Sequence, residues 1–161
     1  MRGTYTLVIL CNHAVDIEFG RLGRSKVLKG LYVYSGSALG KGSMSLEGRL
    51  RRHSCHYKKR KWHIDYMTSN PRCTVRAALY VESARHLECK INGMISHELN
   101  ATPLLPRIGA SDCTCKGHLM RVATMQEKAV LQHIQTIYSR FGHPVCLSAG
   151  GPRSDRPLPT F

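Results

Sequence analysis

Residues 4–11, with the sequence TYTLVILC, constrain the fold more than any other segment of this chain. The run is almost entirely β-branched, aromatic or apolar, which predicts a strand buried within a sheet. Apolar and acidic residues alternate over residues 15–19 and predict a half-exposed strand, and residues 27–35 have the composition of a third. A hairpin or meander is the simplest connection of the three, which favours a mostly antiparallel sheet.

A Gly/Ser-rich loop over residues 36–45 leads into the first predicted helix, residues 46–57. Either Ser43 or Ser45 is placed to cap that helix. Residues 73–82 then return to the composition of a strand.

Two further helices are expected in the second half of the chain. Apolar residues at helical spacing predict a helix over residues 87–99, with Ser83 as its candidate cap. After a short candidate strand at residues 118–123, Thr124 and Glu127 form a T-x-x-E capping box at the start of the last helix.

This order of elements predicts the fold class and the domain organisation. Strands that lead into helices within one compact unit indicate an α/β or α+β domain with a central, mostly antiparallel sheet flanked by helices. A chain of 161 residues corresponds to about one domain. We expect this domain to span residues 1–142 and a Pro/Gly-rich C-terminal tail to span residues 143–161.

The charge of the chain predicts its partner. Twenty-four Lys and Arg residues against ten Asp and Glu give a net charge of +14, and such a field attracts polyanions, most commonly nucleic acid. No apolar run has the length of a secretory signal or a membrane span, so a cytoplasmic location is expected. The seven cysteines are odd in number and should be reduced there.

Seven Lys and Arg residues lie between Arg49 and Lys61 with no acid among them. The cluster is either a solvated helix face or a surface whose self-repulsion an anionic partner relieves, and the net charge favours the partner. Trp62 and Tyr57 could stack on bases, or Trp62 could anchor the segment in the core. The residues predicted to bind nucleic acid are Arg51, Arg52, Lys58, Lys59, Arg60, Lys61, Trp62 and His63.

Arg49 and His53 are four residues apart on the first predicted helix, so their side chains project together. An arginine beside an imidazole suits phosphodiester cleavage, in which charge grows on phosphate oxygens while a proton moves. The same spacing is also common on ordinary surface helices. By itself this pair does not identify a site.

Two short motifs add the context that this pair lacks. Gly3-Thr4-Tyr5 opens the first strand, Tyr34-Ser35-Gly36 closes the third, and the helix with Arg49 and a later glutamate, Glu88, follow in order. This ordered set resembles the GIY-YIG nuclease superfamily, and further segments around Trp62 and Cys113 resemble its Uri-type branch. The resemblance covers roughly residues 3–122. Both motifs differ from the superfamily pattern at the middle residue. Tyr34 follows Tyr5 by 29 positions, more than is usual in the superfamily, which leaves room for an added hairpin around residues 15–19.

The resemblance implies a metal-dependent endonuclease that hydrolyses DNA phosphodiester bonds in repair or processing. Tyr5 and Tyr34 would face the scissile phosphate, Arg49 would hold its oxygens, and His53 would assist. Glu88 would bind one divalent cation, Mg²⁺ or Mn²⁺, and Asn92 or Asn100 could serve beside it. A free tyrosine has a pKa near ~10, and nearby cations together with a metal-bound water can lower it, so that a tyrosinate or the hydroxide takes part in the attack on phosphorus.

Cys113, Cys115 and His118 place three candidate zinc ligands within six residues. Cys89, Cys73 or Cys146 could complete a tetrahedral, structural Zn²⁺ site. The rival interpretations are a turn organised by Asp112, or Asp112 and His118 at the edge of the nuclease site. His63 and Asp65 would share a face if extended, near the phosphate path or as a core pair.

Two other functions remain open at this stage. The basic cluster alone would suit a non-catalytic nucleic-acid-binding module, which needs none of the tyrosines. The segment from Cys113 to His118 would suit a zinc-stabilised interaction domain. Single-stranded, duplex and branched DNA all remain open as partners, because positive charge attracts the phosphates that every form of DNA carries and does not distinguish bases.

Overall fold

The computed structural model of the chain describes residues 1–148 and has an α+β architecture. The strands are β1 (Gly3–Cys11), β2 (Val15–Glu18), β3 (Arg24–Val27), β4 (Gly30–Ala38), β5 (Cys73–Glu82), β6 (Thr102–Pro103), β7 (Leu119–Arg121) and β8 (Val145–Ser148). The helices are α1 (Leu46–Ser54), α2 (His63–Thr68), α3 (Glu88–Glu98) and α4 (Glu127–Ser139). The predicted fold class is confirmed.

Six strands form one sheet in the order β6-β7-β4-β1-β5-β8, and each neighbouring pair is antiparallel. The predicted buried strand, β1, lies between β4 and β5. Its side chains alternate: Leu7 and Ile9 join the core beneath α1 and α2, whereas Val8 joins the core beneath α3 and α4. All three are fully buried, and each such side chain stabilises the fold by about 1.5–3 kcal/mol.

The predicted third strand, residues 27–35, corresponds to β4, which begins at Gly30. Only Val27 of the predicted range belongs to β3, a strand that the sequence does not predict, and the φ of 148° at Gly30 permits the turn between the two strands. β2 and β3 form a separate hairpin, in which Asp16 lies opposite Lys26 and Glu18 opposite Arg24. This is the added hairpin for which the spacing of the two tyrosine motifs leaves room.

Of the three predicted helix caps, only that of α1 is confirmed. Ser45 caps α1, because its hydroxyl accepts a hydrogen bond from Gly48 N at 3.2 Å. The predicted capping box of the last helix is wrong: α4 begins at Glu127, whose carboxylate pairs with Arg76 at 3.1 Å. Ser83 does not cap α3 either, since its hydroxyl accepts from Arg85 N three residues before the helix begins.

The chain turns sharply after α1. This helix ends at Ser54 and not at residue 57, because Cys55 has an extended backbone and Lys58 Nζ donates to Arg52 O at 2.8 Å. The helix α2, which the sequence analysis does not predict, begins nine residues later at His63. The basic cluster therefore lies partly on α1 and partly on the loop that precedes α2.

The segment assigned to the tail begins within the sheet. Residues 145–148 form β8, where Val145 lies opposite Tyr80 of β5. The rest of the predicted tail, from residue 149 onward, lies outside the described residues. Across residues 1–148, no helix combines the length and the apolar character that crossing a membrane requires.

Candidate active site and metal centre

A cleft of about 470 Å³ brings together side chains from four separate parts of the chain. Tyr5 comes from β1, Tyr34 from β4, Arg49 from α1 and Glu88 from the first residue of α3. These are four of the five residues predicted to be catalytic. Other cleft-lining residues are Gly36, Ser37, Lys61, Trp62, His63 and Asp112.

The glycine of the second motif is required by the register of β1 and β4. Tyr5 lies opposite Gly36 in this register. A Cβ at position 36 would lie only 2.6 Å from Tyr5 Oη, so any larger residue would displace the tyrosine ring. The Tyr-x-Gly motif thus makes room for the first tyrosine inside the cleft wall.

His53, the fifth predicted catalytic residue, holds the hydroxyl of Tyr5. Its Nε2 lies 2.8 Å from Tyr5 Oη, and the ring is almost completely buried. Burial and the nearby cation of Lys58 lower the pKa of His53 to about 3, so the imidazole is neutral near pH 7. The hydrogen bond runs from tyrosine to histidine in one tautomer and in the opposite direction in the other.

Arg49 lowers the pKa of both tyrosines, as expected of a nearby cation, but it does not decide the net shift. Burial raises the pKa of both Tyr5 and Tyr34 well above the usual value and outweighs the opposing effect of Arg49. Both phenols are therefore protonated at neutral pH. Tyr34 is 7% exposed, and its hydroxyl has no hydrogen-bond partner within residues 1–148, whereas Tyr5 has no exposed surface.

Arg49 is held by an aromatic ring and not by an acid. Its guanidinium carbon lies 3.8 Å from the centroid of Trp62, which places the cation on the face of the indole. Its Nε is buried and has no hydrogen-bond partner among the described residues, and the same is true of Ser37 Oγ. The guanidinium is thus positioned without being neutralised.

Trp62 is itself fixed by Asp65, which is completely buried. The carboxylate accepts hydrogen bonds from the backbone N–H groups of Lys61 and Trp62 at 2.8 and 2.9 Å, and from Arg52 Nη2 at 2.7 Å. Arg52 also lies over the indole, 4.7 Å from its centroid. Of the two roles considered for Trp62, anchoring agrees with this geometry, because guanidinium groups cover the ring face.

Asp65 also pairs with two cations of the basic cluster. Arg52 and Lys58 point toward Asp65, with Lys58 Nζ 3.9 Å from its Oδ1. Burial lowers the pKa of Lys58 to about 8. The cations of the cluster that are exposed are Arg51, Lys59, Arg60 and Lys61.

His63 lies in the cleft wall, while its predicted companion Asp65 lies in the core. The N–H of Gly109 donates to His63 Nδ1 at 3.1 Å, which leaves the ring proton of the neutral imidazole on Nε2. Desolvation lowers the pKa of His63 and so favours this neutral form. The ring is therefore a hydrogen-bond donor.

A second group of side chains could hold a metal ion. One ligand atom from each of Cys89, Cys113, Cys115 and His118 lies within 4.8 Å of all the others. We call these four residues the tetrad. The structure selects Cys89 as the fourth member, since Cys73 is buried opposite Cys11 in the sheet and Cys146 lies on β8.

The tetrad and the cleft meet at one contact. His118 Nδ1 lies 2.5 Å from Glu88 Oε1, while His118 Nε2 lies 3.5 Å from Cys113 Sγ. Neither candidate asparagine joins Glu88 in the cleft wall, because Asn92 donates to Gly117 O at 3.0 Å and Asn100 follows the end of α3. Ser37, which directly follows Gly36 of the second motif, and His86 also line the cleft, and neither has a role predicted from the sequence.

The fold and the cleft define an α+β protein in which a thiol-rich tetrad that could hold a metal ion lies beside a polar, partly cationic cleft. Residues 4–142 match the family described as "Domain of unknown function DUF123", and the chain belongs to that family. The comparisons with curated proteins and with solved structures found no match.

Proposed function

We propose that this protein is a GIY-YIG-type endonuclease that hydrolyses phosphodiester bonds in DNA with the help of a divalent metal. The observation that carries the proposal is the convergence of Tyr5, Tyr34, Arg49 and Glu88 on one cleft. In the hydrolysis, a water oxygen forms a bond to phosphorus and one ester P–O bond breaks. Negative charge grows on the phosphate oxygens during this step, and the cleft supplies donors for it.

Arg49 holds the non-bridging oxygens of the scissile phosphate. Its planar guanidinium presents parallel N–H donors that match two phosphate oxygens. The stacking on Trp62 fixes its plane, and the buried Nε has no competing partner among the described residues. An arginine paired with a carboxylate would first have to break that pair.

The two tyrosines act as neutral hydrogen-bond donors. Tyr34 turns an unpartnered hydroxyl toward the cleft, and burial keeps it protonated. Tyr5 lies deeper, where His53 fixes the direction of its hydroxyl. With the imidazole proton on Nε2, His53 donates to Tyr5 Oη, and the phenolic proton is then available to a phosphate oxygen.

Glu88 is the carboxylate that would hold the cation. Its side chain is 21% exposed, and Asp112 also lines the cleft. One or two carboxylates suit Mg²⁺ or Mn²⁺, which keep several of their water ligands in such sites. When bound, the cation neutralises charge on the departing oxygen.

The DNA backbone would lie beside the cleft, in contact with the exposed cations Arg51, Lys59, Arg60 and Lys61. Lys61 also lines the cleft, so the basic surface and the cleft are continuous. Such contacts are electrostatic and independent of sequence. They support DNA as the partner.

We further propose that the ion held by the tetrad is Zn²⁺. Three thiols and one imidazole are a common ligand set of structural zinc sites. Protein purified without added metal should contain about one zinc per chain, and Cys115→Ser should lower both the zinc content and the melting temperature. Protein that contains no zinc and melts like its Cys115→Ser variant would contradict this assignment.

The nuclease is tested with three variants, each paired with a matched control. Glu88→Ala should abolish cleavage yet leave DNA affinity equal or higher, because it removes a carboxylate from an anion-binding surface. Glu98→Ala, on the exposed side of the same helix, should cut normally. The assay incubates labelled single-stranded, duplex and branched DNA with and without Mg²⁺ or Mn²⁺.

Tyr34→Phe removes one hydroxyl and should lower cleavage without weakening binding, whereas Tyr57→Phe, at a position 97% exposed, should change neither. Arg49→Ala should lower cleavage by about 100-fold or more, and should also weaken binding. Its control is Arg140→Ala, an exposed cation on the helix layer across the sheet. Binding without cleavage of any substrate under either metal would favour the binding module.

A further inference from the structure

His118 belongs to the tetrad and also contacts Glu88 of the cleft. Its ring is completely buried, with Nε2 facing Cys113 Sγ and Nδ1 facing Glu88 Oε1. The two partners lie on opposite sides of one rigid, planar ring. A change at one side of the ring is therefore transmitted to the other.

The chain also joins the two sites directly. Glu88 and Cys89 are consecutive residues in the first turn of α3, and one lines the cleft while the other belongs to the tetrad. The other two thiols lie on the loop that leads to His118, and this loop is held by backbone hydrogen bonds from Arg107 N to Lys116 O and from His118 N to Ile108 O. Closing the tetrad thus ties the start of α3 to this loop.

A metal bound at Nε2 has a defined effect on the opposite side of the imidazole. A neutral imidazole that ligates through Nε2 carries its proton on Nδ1, and metal-ligating histidines commonly donate that proton to a carboxylate. In this protein His118 Nδ1 lies 2.5 Å from Glu88 Oε1, although the two groups are not aligned as a hydrogen bond. No other hydrogen bond or ion pair of this carboxylate is found within residues 1–148.

We propose that His118 is a positioning residue, through which a metal bound by the tetrad fixes the orientation of the Glu88 carboxylate in the cleft. The tetrad is then a support for the active site and not only a staple of the fold. The effect of Glu88 on the tetrad metal is independent of any nuclease activity. Its effect on the cleft cation rests on the proposed function.

The first experiment measures zinc affinity by competition with a chelator. A carboxylate that supports a metal-bound histidine contributes about 10–100-fold to metal affinity. Glu88→Ala should therefore weaken Zn²⁺ binding by at least about 10-fold. The control Glu98→Ala removes the same charge from the same helix and should bind Zn²⁺ as the parent does. A Glu88→Ala protein that binds Zn²⁺ as tightly as the Glu98→Ala protein and the parent would overturn the inference.

The second experiment uses His118→Cys, which keeps a fourth zinc ligand and removes the imidazole. This variant should retain its zinc, yet bind Mn²⁺ in the cleft at least about 10-fold more weakly, as measured by electron paramagnetic resonance. Its cleavage rate should fall with the Mn²⁺ affinity and recover at high Mn²⁺. A zinc-loaded His118→Cys protein with parental Mn²⁺ affinity would show that His118 has only a structural role.

The two failures are distinguishable. If the parent protein binds no Mn²⁺ through Glu88 and cuts no DNA, the proposed function fails. The zinc affinities of the first experiment still decide whether Glu88 supports the tetrad through His118.

Discussion

Replacement of Asp65 by alanine should be among the most destabilising single changes in this protein. The carboxylate is completely buried and accepts four hydrogen bonds, two from Arg52 and one each from the N–H groups of Lys61 and Trp62. Removing it leaves the Arg52 guanidinium and two backbone donors without their acceptor. Breaking a buried ion pair in this way costs about 3–5 kcal/mol.

That cost is large for a domain whose whole free energy of unfolding is of the order of ~5–15 kcal/mol. In a chain of this length it corresponds to a fall in melting temperature of roughly 6–20 °C. The loss should also reach the cleft. Trp62 loses the acid that holds its backbone, and Arg49 loses the fixed ring on which it stacks.

Urea denaturation followed by far-UV circular dichroism measures the global effect, and fluorescence of Trp62, the single tryptophan, reports on the segment itself. The control is Glu47→Ala, which removes a carboxylate from a part-exposed pair with the chain amino terminus and should cost at most about 1 kcal/mol. If Asp65→Ala costs no more than this control and Trp62 emission is unchanged, Asp65 does not organise the segment.

Three further predictions concern pH, salt and packing. Burial raises the pKa of Asp65, but hydrogen bonds from Arg52 and from backbone N–H groups outweigh it and lower the pKa below its usual range. Its stabilising effect should therefore be complete above pH ~3.9 and be lost as the pH falls through the lowered pKa, a dependence that Asp65→Asn should lack in urea titrations at several pH values. The slope of log DNA affinity against log salt should become shallower by about 0.7–0.9 for each of Lys59→Ala and Arg60→Ala, and an unchanged slope would place the DNA elsewhere. Gly36→Ala should destabilise by about 1–3 kcal/mol through the clash with the tyrosine hydroxyl, whereas Gly93→Ala, with no atom within 4 Å of the added methyl, should be neutral or stabilising.

The local elements were the most predictable part of the fold. Residues 73–82 form a strand with the predicted bounds, and the apolar run at residues 4–11 forms a strand inside the sheet. Both were predictable because an apolar, β-branched composition by itself indicates a buried strand. The strand β8 and the helix α2 were not predictable in the same way. Each has six residues or fewer, and each depends on distant or charged partners: β8 on pairing with β5, α2 on Asp65 at its first turn.

The site was predictable in its members but not in its contacts. The ordered motifs indicate Tyr5, Tyr34, Arg49 and Glu88, and the antiparallel pairing of β1 with β4 brings the two tyrosines to one end of the cleft. The stacking of Arg49 on Trp62, the selection of Cys89 and the contact between Glu88 and His118 all join segments distant in sequence. No pattern of spacing encodes such contacts.

The distribution of satisfied and unsatisfied polar groups supports a ligand-binding role for the cleft. Arg49 Nε and Ser37 Oγ line its wall, are buried, and have no hydrogen-bond partner among residues 1–148. An unpaired buried donor costs about 1–3 kcal/mol, which folding alone does not recover. Five other buried side-chain atoms within residues 1–148 also lack a partner, so it is the position of Arg49 and Ser37 in the cleft wall that points to a ligand. A phosphate diester offers two acceptor oxygens and would satisfy these donors, so the cost that the free protein bears is recovered when such an anion binds.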